Sequence, residues 1–171
     1  VPMVTTYAST DGGVTAQTFR TPSFRVNCSF ADFNGDGRLD MITESTGLYA
    51  DGVRETIARY ASQTTVNHEI GVRIQDENGK FPPTPSSRKS LTLDLGEVPL
   101  RNGVVFQAYC RGSLLDITGD VNKDGWRDLV VQEAPTRLVV YLCGPQGFAD
   151  SPCAAITVQP GSEFRLTDIN G

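Results

Sequence analysis

The sequence predicts an all-β chain made of repeated four-stranded units. Three observations predict it. An acidic nonapeptide occurs twice in full, at residues 32–40 and 120–128, and its first four positions recur at 168–171. A glycine turn followed by phenylalanine recurs downstream of each full copy, and short β-branched runs fill the spaces between. Repeated four-stranded units of this kind describe the blades of a β-propeller. The expected architecture is a propeller segment of about two full four-stranded blades plus partial blades at both ends.

In chain order, residues 1–24 are expected to form the outer strands of a preceding blade, with Tyr7 and Asp11-Gly12-Gly13 as a faint copy of the glycine turn. The first full blade spans 25–106. Val26–Phe30 enters the acidic loop, Asp40–Glu44 leaves it, and Ile70–Ile74 and Ser90–Leu95 complete the sheet. This blade carries an insertion at about 45–67, within which Gly52–Ala61 reads as a short helix. The second full blade spans 107–160, with strands at Ser113–Ile117, Asp128–Gln132, Arg137–Leu142 and Ala154–Val158. Val72 to Pro85 aligns without gaps on Val139 to Pro152, bringing Phe81 onto Phe148. Residues 161–171 begin a third, truncated blade. All four pieces belong to one incomplete propeller domain. Propellers close with at least about four blades, so other blades of a larger protein, or neighbouring chains, are expected to complete the ring.

Composition narrows the function. The chain has 171 residues, 39% of them apolar and 20% charged, enough to bury a core. Fifteen Lys+Arg against 20 Asp+Glu give a net charge of −5, and no basic cluster is present, which argues against nucleic acid. The longest purely apolar run, Leu138 to Cys143, is far too short to span a membrane. The motifs of nucleophilic, zinc-hydrolytic and nucleotide chemistry are missing, so no catalytic residue is assigned. His68 reads as a strand residue, not a base.

The acidic loops carry the chemistry. Asp or Asn at loop positions 1, 3 and 5 turns three side-chain oxygens to one side, glycine at position 6 permits the sharp turn, and the carbonyl at position 7 points inward. The first site is Asp32, Asn34, Asp36, the Arg38 carbonyl and Asp40; the second is Asp120, Asn122, Asp124, the Trp126 carbonyl and Asp128. Asp168 and Asn170 begin an incomplete third. Hard, anionic oxygens in an adaptable loop suit Ca²⁺ better than Mg²⁺. The plainer reading is a solvated Asx turn, which needs no ion. Two full copies, both with Asp at position 9, favour the metal. Position 12 would be Glu in an EF-hand and is Thr43 or Val131 here, and strands follow each loop instead of helices. Lys123 replaces glycine at position 4, and Asp116 offers an alternative start for the second loop, with Asp120 preferred on spacing.

These two stretches, Ala31 to Ile42 and Gly119 to Val131, resemble FG-GAP/VCBS-type repeats, found in integrin α-chain propellers and in bacterial surface and secreted proteins. The resemblance implies a propeller holding Ca²⁺ between the first two strands of each blade. It further implies an extracellular, secreted or cell-surface setting and a non-catalytic adhesion or interaction scaffold with a protein or glycan ligand. A lectin-like propeller, with Trp126 as a sugar platform, and the propeller part of a larger secreted enzyme such as a polysaccharide lyase are the alternatives. Trp126 reads more simply as packing beside the ion. The four dispersed cysteines fit disulfides, with Cys143–Cys153 favoured across the glycine turn and Cys28–Cys110 by elimination.

Overall fold

The structure is a computed structural model and describes residues 3–10, 13–20, 26–46, 65–94, 115–159 and 164. Twelve strands account for the regular structure of these residues. β1 (Met3–Thr10) and β2 (Gly13–Arg20) form an antiparallel hairpin. β3 (Val26–Ala31), β4 (Asp40–Thr46), β5 (Thr65–Arg73) and β6 (Ser87–Asp94) form a four-stranded antiparallel meander in chain order. β7 (Leu115–Asp116), β8 (Leu129–Ala134), β9 (Arg137–Tyr141) and β12 (Ala154–Thr157) form a second. Between β9 and β12, β10 (Cys143–Gly144) and β11 (Gly147–Phe148) make a small hairpin of their own. No helix among the described residues is long and apolar enough to cross a membrane.

The two sheets pack face to face, and the hairpin touches the first through Phe19 and Gln17. Phe19 of the hairpin packs with Met41 and Phe81 on one face of the first sheet. The opposite face contributes Ile42, Ile70, Val72, Leu91 and Leu93 to the main core, where Leu129, Val131, Val139 and Tyr141 of the second sheet meet them. The far face of the second sheet holds Val130, Leu138 and Val140, with Val158 and Phe164 packed on it. This layering explains why Met41-Ile42 and Leu129-Val130-Val131 are apolar without alternation: successive residues point to opposite faces, and both faces are covered. Strands further out lose that cover. β6 alternates buried and exposed positions along its second half, and all of β12 is exposed.

The structure corrects the gapless repeat alignment. Ile42 pairs with Val72 and Val130 pairs with Val140, so Val72 corresponds to Val140 and not to Val139. Gly79 and Gly147 share a positive φ, and the extra residue of the first copy is Lys80, between that glycine and Phe81. A one-residue slip exchanges the two faces of a strand, so it matters that Val139 faces the main core while Val140 faces away from it. The insertion is narrower than expected, because β4 continues to Thr46 and β5 starts at Thr65. The short helix expected at 52–61 lies outside the described residues, as do Asp168 and Asn170 of the third loop.

The Cys143–Cys153 disulfide is not formed. Cys143 is a free thiol buried in the main core, and the tight β10–β11 hairpin sets it opposite Phe148, not Cys153. Burial pushes its pKa up to about 11. Cys153 is exposed at the start of β12, where its N–H donates to the Val140 carbonyl at 2.8 Å. Cys28 is also a free thiol, on β3, and Cys110, its expected partner, lies outside the described residues.

Candidate metal centre

Each acidic loop joins the first two strands of its sheet, β3 to β4 and β7 to β8. Internally the two are the same structure. In the first, both Asp32 carboxylate oxygens accept backbone N–H groups, from Asp36 at 3.1 Å and Gly37 at 3.0 Å. In the second, Asp120 does the same for Asp124 at 3.2 Å and Gly125 at 2.8 Å. Asn34 Oδ1 accepts the Asp36 N–H and its Nδ2 donates to Asp36 Oδ2; Asn122 and Asp124 repeat both bonds. Asp36 Oδ1 accepts the Arg38 N–H at 2.9 Å, as Asp124 Oδ1 accepts that of Trp126 at 2.9 Å. Asp120 thus occupies the position of Asp32. Asp116 instead accepts bonds from the backbone and hydroxyl of Thr118, ahead of the loop.

The position-9 carboxylates have a role that spacing alone does not announce. Asp40 and Asp128 are both fully buried. Asp40 Oδ2 accepts the Phe33 N–H at 2.9 Å and Oδ1 the Gln75 N–H at 2.8 Å. Asp128 Oδ2 accepts from Val121 at 2.7 Å and Oδ1 from Cys143 at 2.8 Å. Each therefore staples position 2 of its own loop to the chain leaving the third strand of its sheet. Burial pushes the Asp40 carboxyl above its ordinary range, two N–H bonds pull it down, and the charges of Asp36 and Asp32 push it up again. The first loop is a place of like-charge crowding.

Position 7 differs. Arg38 folds back onto Asp36 Oδ2 at 2.6 Å, and its Nε donates to the Gln75 carbonyl. The Asn34 side chain and the Arg38 N–H hold the exposed Asp36 carboxyl below its ordinary value. Trp126 makes an edge-on contact with Phe33 of the first loop, ring centroids 6.1 Å apart, so it packs across the sheet junction and does not stand free as a platform.

The loops also touch each other. Arg127, at position 8 of the second loop, donates its own N–H to the Phe33 carbonyl at 2.9 Å and its Nε to the Asp32 carbonyl at 2.5 Å. Its Nη1 donates to the Thr118 carbonyl at 2.5 Å, on the chain entering its own loop. Gly35, at φ +74°, lies so close to Gly125 that a Cβ there would stand 2.8 Å from the Gly125 carbonyl. Sequence reasoning missed Arg127; the available signal was an arginine at position 8, where the first loop has Leu39.

Among the described residues, no three His, Cys, Asp or Glu side chains are gathered tightly enough to hold an ion, because the carboxylates are turned onto N–H groups of their own loops. The donor set itself fits Ca²⁺: three carboxylates, an amide oxygen and a carbonyl per loop, all hard ligands. No protein-family model matches this chain, and no curated protein matches it.

Proposed function

We propose that this chain is a calcium-stabilised segment of an extracellular β-propeller that serves as a non-catalytic scaffold for adhesion or protein interaction. The observation that carries the reading is that the two acidic loops repeat the same hydrogen bonds from their position 1, 3, 5 and 9 side chains to the backbone, in corresponding places of the two sheets. A plain Asx turn needs one acidic cap. Here three carboxylates crowd each loop, and a divalent cation would relieve their repulsion. Asp32, Asn34, Asp36, the Arg38 carbonyl and Asp40 would hold one ion, and Asp120, Asn122, Asp124, the Trp126 carbonyl and Asp128 a second. When bound, each ion neutralises charge and locks its loop. The chain supplies the frame: Asp40 and Asp128 fix each loop to its sheet, and Arg38, which pairs with Asp36 Oδ2, would have to release that oxygen for it to serve as a ligand. The stacked four-stranded meanders support the propeller reading, since blades of a propeller pack face to face in chain order.

An ion that binds the folded loops and not the unfolded chain stabilises by mass action. About 5 mM Ca²⁺ is expected to raise the melting temperature by at least about 5 °C, and EDTA to reverse the rise. Asp36→Ala and Asp124→Ala should each remove part of the shift. An identical transition in calcium and in EDTA overturns the calcium assignment.

A further inference from the structure

The two candidate ion loops share one side chain. Arg127 belongs to the second loop by sequence, yet its Nε and its own N–H hold the Asp32 and Phe33 carbonyls, while its Nη1 holds Thr118 ahead of Asp120. Asp32 and Asp120 are position 1 of their loops, and each organises its turn through two backbone N–H groups. One guanidinium therefore fixes the entry segments of both loops relative to each other. Phe33 extends the connection: its N–H is held by Asp40, its carbonyl by Arg127, and its ring by Trp126 and Phe148.

We propose that Arg127 is a positioning residue that couples the two loops, so that an ion in one loop raises the affinity of the other. The inference rests on the calcium reading above. The direction follows from ordering. An ion in the first loop fixes the Asp32 backbone, which fixes the Arg127 guanidinium, which fixes the chain into Asp120; the second ion then has less to order. Repulsion opposes this only weakly: with Arg38 counted in the first loop and Lys123 and Arg127 in the second, a bound ion leaves the first loop neutral and the second at a single positive charge. By reciprocity the second loop favours the first by the same factor.

The test is a Ca²⁺ titration followed by calorimetry and by fluorescence of Trp126, the single tryptophan of the chain. Asp36→Asn disables the first loop and leaves the second to be read alone. With Arg127 present, this change is expected to weaken binding at the second loop about fivefold or more, the lower end of ordinary coupling. With Arg127→Gln, Asp36→Asn should leave the second loop within about twofold, although both ions still bind. Where Arg127→Gln prevents folding, Arg127→Lys keeps the charge without the fork and should lose most of the coupling. Two ions bound with no change at the second loop on Asp36→Asn overturns the coupling and leaves the calcium reading intact. No heat and no Trp126 response up to about 10 mM Ca²⁺, beyond the range of weak extracellular sites, overturns both.

Discussion

Position 2 of the first loop is Phe33, 0% exposed; position 2 of the second is Val121, 49% exposed. Their N–H groups make the same bond, to Asp40 and to Asp128. What differs is the neighbour. Phe33 makes edge contacts with both Trp126 and Phe148 of the second unit, whereas Val121 is exposed. The motif thus dictates the bonds inside the loop, and the next layer of the stack dictates what its side chains are for.

The largest expected difference between the loops comes from truncating these two residues. Phe33→Ala should cost about 3–5 kcal/mol, as for a large aromatic lost from a closed core. Val121→Ala should stay within about 0.5 kcal/mol. Urea-denaturation midpoints compare them directly, and equal losses would break the contrast.

The second contrast lies on the sheets. The first sheet turns His68 and Glu44 towards the junction, Nε2 to Oε2 4.0 Å apart, while the second carries neutral Gln132 in the place of Glu44. Burial lowers the His68 pKa from 6.5 to about 4, so the folded chain keeps the ring neutral while the unfolded chain takes up a proton. Its contribution is complete above pH 6.5 and is lost as the pH falls towards 4. That loss amounts to about 3 kcal/mol at most. Glu44, whose pKa burial raises, works in the opposite sense and offsets part of it. Denaturation midpoints at pH 7 and pH 4.5 measure the slope, which His68→Gln should flatten; an unchanged slope removes His68 from the account.

The smallest contrast is at position 4. Gly35→Ala places a Cβ at positive φ and 2.8 Å from a carbonyl, and should cost about 1–3 kcal/mol. Lys123 already holds φ 62° with a side chain in place, so Lys123→Ala should change stability by less than about 0.5 kcal/mol. Matching losses in thermal melts would mean that the loops do not nest.

Most of the strand plan was legible in the sequence, because alternation and glycine turns act locally. Met41-Ile42-Thr43 and Leu129-Val130-Val131 announced the strands that leave each loop, and Asp, Asn and Gly announced the loops. What was illegible depends on distant partners. The Gln75 and Cys143 N–H groups that complete the Asp40 and Asp128 staples lie beyond the third strands, 35 and 15 residues along the chain. The slip created by Lys80 cannot be seen in an alignment anchored on Phe81 and Phe148. Cys143 looked like half of a turn disulfide because spacing says nothing of which face of a strand a thiol occupies. Arg127 looked like filler between a ligand carbonyl and a ligand carboxylate.

Gly35 and Lys123 also give the stack a reading direction. A unit with glycine at position 4 accepts the carbonyl of the loop that follows; a unit with Lys123 there presents a Cβ where that carbonyl would sit. Exchanging the order of the two units along the chain would bring atoms to 2.8 Å at a place where nothing can swing aside. Interchangeable as the two loops are in their own hydrogen bonds, their sequence order is written in a single carbon atom.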